Sequence, residues 1–498
     1  RDCVCSRTMK LRETTTCSEC ERLAKRFAKL ESQLAKALTR IEELEEQNAE
    51  LQERNAKLEE QLAKLRKNSS TSSKPPSSDI VKPPPKPPGG GGKRRGKRKR
   101  GAQSGHPRHT RPAFSPEEVD TIWLYQYDET PEGYRPLEQF RIMQQADLAE
   151  KLYTVTEHRA RLYKNRRTGK IITAPLPEEI TRAGLVGPRL SALIAYQKGA
   201  CHMSYTVVQR FFDDVLRLPL STGQLTKVVQ KASAALEPCY GQLQDALPRQ
   251  RVLNVDETGH PENGDDLWTW GFHAPGPSGF TFFHIDPLRS SAVLKQFLSE
   301  TFTGVVGCDY HGAYRKFLRQ TGAVMQFCWA HLIRDVKFLT TLTDKVTRNF
   351  SERLLTKIKA LFRVWHRRDR MPAEQWKRAA WRARQAVLKT ARRPPCRTEA
   401  QNIAKRFREH GRYYFTFLEI PGVEPTNNAM ERGFRQLIID RKVTQGTRGE
   451  RGRRWCERIW TVLATCAQQG HSAFAFIHQS IVAYFSKHSL PSLLPLPP

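Results

Sequence analysis

Between residues 21 and 66 apolar positions recur with alternating spacings of three and four. One track holds Phe27, Leu34, Ile41, Asn48, Asn55 and Leu62. The other holds Leu23, Leu30, Ala37, Leu44, Leu51, Leu58 and Leu65. Sustained over about six heptads, the pattern predicts a coiled coil. Asn48 and Asn55 fall at successive positions of the first track, where buried Asn specifies a parallel dimer at some cost in stability. Charged residues crowd every other face, so self-association through 21–66 is expected rather than packing on a body.

The periodicity then stops. Residues 67–118 read as a linker: NSSTSSKPPSSD, VKPPPKPPGGGG and KRRGKRKR hold too little apolar surface to fold. Residues 119–180 alternate apolar and polar positions (TIWLYQY, KLYTVTEHRARLY, KIITAPLP) and predict a small β-rich module. Residues 184–248 predict helices. In SYTVVQRFFDDVLRLPLSTGQLTKVVQKA a helix, a short turn and a second helix follow one another, with Ser221 or Thr222 as N-cap. This is either a helix-turn-helix that binds DNA or a pair of packed core helices.

From residue 251 the pattern changes again. Three strands (RVLNVDET, LWTWGFHA, FTFFHID) are followed by helix, strand, helix, strand and helix. That order predicts an α/β fold with a mixed sheet, over 251–343 and 421–485. Residues 344–420 read as helix only, an all-helical insertion with 21 basic and 7 acidic residues, and with Trp365, Trp376 and Trp381 interleaved. Such a surface suits a DNA strand; an ordinary solvated helical hairpin is the plain alternative.

Charge narrows the partner. The 498 residues carry a formal net charge of +32, which points to a polyanion, nucleic acid before anionic membrane. The coiled-coil segment is balanced, so the excess lies elsewhere. One cluster is Lys93, Arg94, Arg95, Lys97, Arg98, Lys99 and Arg100, with no acid nearby, expected to contact phosphate. No apolar run reaches membrane length and no signal peptide is visible, so the chain reads as cytoplasmic and nucleoid-associated. The first methionine, Met9, is a candidate start. Eleven scattered cysteines fit a reducing compartment. Cys3, Cys5, Cys17 and Cys20 could form a four-thiolate zinc site, but such spacings match readily by chance.

Three acids stand out against this basic background. Asp256 ends the first predicted strand, Asp309 ends the run GVVGCDY, and Glu431 lies on a helix predicted to start near Thr426 or Asn427. Two carboxylates at neighbouring strand ends and a third from a later helix can share a pair of hard divalent cations, Mg²⁺ or Mn²⁺. A buried carboxylate needs such compensation. Glu257, His331 and Arg435 are expected to support the ligands, and Arg432, Arg441 and Lys442 to face phosphates. Cys328 and His331, three residues apart, supply only two zinc ligands.

On these residues the chain resembles the insertion-sequence 66 type of bacterial transposase. The matching pieces are the coiled coil with NSSTSSKPPSSD, then VDETGH, GCDYHGAYRKF, FCWAH and NNAMERGFRQLIIDRKVTQG. The resemblance implies a ribonuclease-H-like catalytic domain interrupted by 344–420, with Asp256, Asp309 and Glu431 as metal ligands. It implies cleavage of double-stranded DNA at transposon ends and joining of the 3′-OH to target DNA, with accessory transposition proteins left open. The family usually carries a cysteine zinc module after the linker; residues 106–200 here contain no cysteine, so zinc is not expected there. Two rival readings share the basic runs: a non-catalytic DNA-binding protein, decayed or domesticated, and a nuclease of the same fold without strand transfer.

Overall fold

A computed structural model describes residues 18–65 and 113–494, apart from 130, 131, 133, 134, 136, 137, 139, 140, 150 and 151. The basic cluster Lys93, Arg94, Arg95, Lys97, Arg98, Lys99 and Arg100 and most of the expected linker lie outside the described residues. The chain divides into two compact units, Arg1–Lys82 with Phe327–Pro421, and Pro83–Gln326 with Gly422–Pro498.

In the first unit, α1 (Ser18–Leu65) is one unbroken helix. Its apolar stripe is exposed, with Phe27 at 67 % and Leu34 at 62 %.

The first strands among the described residues of the second unit form a hairpin, β1 (Leu162–Lys164) with β2 (Ile171–Thr173). Those two short strands are the only ones among the described residues of 119–180. The stretches TIWLYQY and KLYTVTEH form none. Their alternating residues are largely exposed, so no buried face drives pairing. Helices α2 (Glu178–Ala183), α3 (Pro188–Gly199), α4 (Tyr205–Asp214) and α5 (Thr222–Ala246) follow. Ser204 caps α4. Ser221 caps α5 in a reciprocal pair with Gln224. The long α5 buries Leu225, Val228, Val229, Leu236 and Leu243 along one face, as a core helix does.

The sheet of this unit has five strands: β3 (Val252–Glu262), β4 (Asp265–His273), β5 (Thr281–Asp286), β6 (Val305–Cys308) and β7 (Val324–Phe327), in the order β5-β4-β3-β6-β7. Strands β3, β4 and β5 form an antiparallel meander, and β6 runs parallel to β3. Helices α6 (Ser291–Leu298) and α7 (Gly312–Gln320) make the crossovers. The strand expected to end at Asp256 runs on to Glu262. It turns through Asn263-Gly264, both with positive φ (50° and 99°), the two-residue hairpin chemistry that Asn-Gly favours.

In the first unit the chain continues as α8 (Trp329–Leu339), α9 (Lys345–Trp365), α10 (Ala373–Ala391) and α11 (Thr398–His410). Trp329 is its core. The indole is fully buried, donates its N–H to the Tyr414 carbonyl, and lies within 5.4–6.1 Å of the rings of Phe362, Phe407, Tyr414 and Phe415. The middle of Cys-Trp-Ala-His is thus packing.

The second unit closes with α12 (Asn428–Thr444), α13 (Glu450–Gln469) and α14 (Ala473–Ser486). Strand β5 is an edge, and α13 covers it by hydrogen bonding. Thr465 Oγ1 accepts from Thr281 N (3.2 Å), Thr461 Oγ1 from Phe283 N (3.0 Å), and Glu457 Oε1 from Ile285 N (2.8 Å). Three side chains at a spacing of four satisfy every second amide of the edge.

Candidate active site

Asp256 and Glu257 are neighbours on β3, so their side chains leave opposite faces of the sheet. Their fates differ accordingly. Glu257 has no solvent exposure at its side chain. Its Oε1 accepts from Arg289 Nε (2.9 Å) and Nη2 (2.8 Å), and its Oε2 accepts from the Tyr314 hydroxyl. Arg289 also stacks on Trp268, 4.4 Å from the ring centre. The buried charge is therefore matched, as burial requires. His311 Nδ1 approaches at 3.9 Å.

Among the described residues Asp256 has no such cation. Burial, then the charges of Glu257, Asp309 and Glu431, push its carboxyl well above the usual carboxylate range. Burial, then Glu257, Asp309 and Asp256, raise the Tyr314 hydroxyl as well. The three acids singled out from the sequence are thus electrostatic neighbours, although 53 and 175 positions separate Asp309 and Glu431 from Asp256.

The backbone explains how each arrives. Parallel pairing of β3 with β6 ends at Asn254 opposite Gly307. Asp256 and Asp309 come two residues after those partners. A Cβ on Gly307 would lie 2.4 Å from Asn254 Oδ1, so glycine lets the buried Asn254 fit between the strands. Asp309 Oδ1 accepts from His311 N (2.9 Å), which shapes the turn into α7. Glu431 comes from the first turn of α12. The N-cap residue of that helix, Asn427, donates from Nδ2 to the carbonyl of Val255 (2.9 Å), one residue before Asp256. Near the other end, Arg441 donates to Thr258 Oγ1 (3.1 Å) and to the Gly259 carbonyl. Glycine allows the close approach. Gly271 pairs with Asp256 across the hairpin, and a Cβ there would meet Met430 Cε at 2.4 Å and Phe434 Cζ at 2.9 Å.

The remaining predicted residues are placed as follows. Arg432, Arg435 and Lys442 are exposed on α12. Arg441, read from the sequence as a phosphate contact, is half-buried as a clamp between α12 and β3, and burial lowers its pKa. His331 lies in the first turn of α8, in the other unit. Arg289, Tyr314 and Gly271 carry no signal in sequence spacing. Asn427 had one, the Asn-Asn pair four residues before Glu431, but its tether to the sheet is visible only in three dimensions.

Three carboxylates, one from within β3, one just past the end of β6 and one from the first turn of α12, are a donor set of hard oxygens. Hard oxygens of this kind are the donors that divalent ions such as Mg²⁺ take.

Residues 8–112 match a family of unknown function (DUF6444). No curated protein matches the chain. Among solved structures it is similar to a chain of the simian T-cell lymphotropic virus intasome in complex with PP2A regulatory subunit B56 gamma. That match has 11 % identity over 38 % of this chain and 67 % of that one, with a TM-score of 0.14, too low to carry an argument. The family model described as Transposase IS66 family matches residues 183–454, more than half of the chain, and the protein therefore belongs to the IS66 family of transposases.

Proposed function

We propose that this transposase cuts transposon ends and joins the freed 3′-OH to target DNA at one carboxylate centre, with Asp256, Asp309 and Glu431 as the ligands of two divalent ions, Mg²⁺ or Mn²⁺. The observation that carries the reading is Asp256 itself. It is a half-buried carboxyl beside two further acids, without the Arg and Tyr partners that neutralise its neighbour Glu257. Ions bound there would activate a nucleophile and stabilise the leaving oxygen of an in-line phosphoryl displacement. The sheet order, an antiparallel meander extended by β6 and β7 with α12 returning against β3 and β4, supports a ribonuclease-H-like reading.

The chain's own residues divide the work. Asp256 presents its oxygens from within β3, two residues past its pairing with β6, Asp309 from just past the end of β6, and Glu431 from α12. Glu257, held by Arg289 and Tyr314, fixes the face of β3 behind Asp256. Asn427 sets the distance of Glu431 from the sheet. Arg432 and Lys442 offer phosphate contacts along the exposed side of α12, and Arg435, one turn after Glu431, orients it. The exposed apolar stripe of α1 supports pairing with the α1 of a second copy as a parallel coiled coil.

The test is metal-dependent nicking of a labelled duplex carrying the element's own end. Wild type should nick with Mg²⁺ or Mn²⁺, and Asp309→Ala should bind the duplex but not cut it. Undiminished nicking by Asp309→Ala would overturn the assignment. Nicking without joined products would favour the nuclease reading.

A further inference from the structure

The helical unit buries Trp329 completely and Trp365 to 8 % exposure, yet leaves Trp381 of α10 62 % exposed. No aromatic ring or guanidinium among the described residues covers the Trp381 indole. Its surroundings are selective. Lys377 and Arg378 lie one turn before it, Gln385 one turn after it, Arg382 beside it and Lys389 two turns on, and all are exposed. The acid on this face, Glu374, is taken by Lys377 at 2.8 Å. Arg378, Arg382 and Lys389 form no ion pair among the described residues.

A basic helix face alone suffices for the phosphates of a duplex. A bare indole adds one thing, a flat apolar surface in water beside cations. The faces of paired bases are already occupied by their neighbours in the stack, so a duplex has nothing to place on that ring. An unpaired base has a free face, and the adjoining phosphates need cations within one helical turn. We infer that the exposed face of α10 is a binding site for unpaired DNA, with a base stacked on Trp381 and the flanking phosphates on Arg378 and Arg382. The inference rests on the assignment of the chain to a DNA transposase, and not on which residues cut.

The experiment is fluorescence anisotropy of the full chain with a labelled single-stranded oligonucleotide and with the same sequence as a duplex. Trp381→Ala should weaken single-strand binding on the order of 10-fold and leave duplex binding within about twofold, while Trp381→Phe keeps most of the affinity. Arg378→Ala and Arg382→Ala should each lower the salt dependence by about one ion. Unchanged single-strand affinity in Trp381→Ala, or equal losses on both DNA forms, would overturn the inference. So would a changed oligomeric mass with DNA binding intact, which would assign the ring to a protein partner. Asp256→Ala should bind the single strand as wild type does. Failure of the cleavage proposal therefore leaves this test standing.

Discussion

At the scale of residues, the decisive pair is Asp256 and Glu257. Strand alternation sends one to each face, which is legible in any sequence whose strand is recognised. The partners are not legible, because Arg289 and Tyr314 lie 32 and 57 positions away from Glu257. Glu257 is matched and Asp256 is not, so their substitutions should have opposite signs. Asp256→Asn keeps an oxygen that can accept from Glu257 N and removes a charge crowded by three acids. Metal-free protein should gain roughly 1–2 kcal/mol, the trade of stability for function that the proposed ligand role entails. The same variant should lose most of the rise in Tm that Mg²⁺ or Mn²⁺ gives wild type. Thermal melts with and without metal check both, and equal metal-induced shifts in the two proteins would remove Asp256 from the ligand set. Glu257→Ala should instead cost roughly 3–5 kcal/mol with or without metal, because it leaves Arg289 uncompensated.

At the scale of elements, two helices dock on the sheet by different physics. Helix α12 comes close because Gly271 has no side chain where Met430 and Phe434 press. Gly271→Ala should cost about 1–3 kcal/mol and lower nicking by more than the lost stability explains, since it pushes Glu431 from Asp256. Adding Met430→Ala to that variant should recover part of the activity, and no recovery would separate Gly271 from the site. Helix α13 docks by covering the amides of edge strand β5. Thr461→Val keeps the shape and strands the buried amide of Phe283, so it should cost about 1–3 kcal/mol by urea unfolding, with Thr461→Ser near wild type. The elements themselves were largely readable: strand periods, Ser caps and the helical character of 344–420 all lie in local pattern. The end of β3 was misplaced because the acids at 256 and 257 looked like a boundary, although Asn263-Gly264 marks the turn in plain sight. That the described residues of 119–161 form no strand could not be foreseen from alternation, because alternation predicts a strand only where one face finds a core.

At the scale of the whole molecule, the fold is exposed to acid. Two histidines of the sheet are held neutral. Burial, then Arg441, lowers His260 to about 4, and burial, then Arg432, lowers His273 to about 4. Unfolded, each would titrate near its ordinary 6.5. Between pH 6.5 and 4 the unfolded chain therefore binds more protons, and stability falls as pH falls. The contribution is complete above pH 6.5 and amounts to at most about 3 kcal/mol for each histidine. The Asp256 carboxyl works the other way, because its raised pKa relieves repulsion as acid is added, so metal-free protein should soften the loss. The expected outcome is a urea midpoint that is flat from pH 8 to 6.5 and drops towards pH 4. His260→Gln should start lower at pH 8, having lost its bonds to Thr269 and Thr447. It should also show a shallower drop, because one titrating group is gone. A parallel drop in wild type and variant would mean that His260 is protonated in the folded protein, and its packing between β4 and the Thr447 loop would then need another donor arrangement.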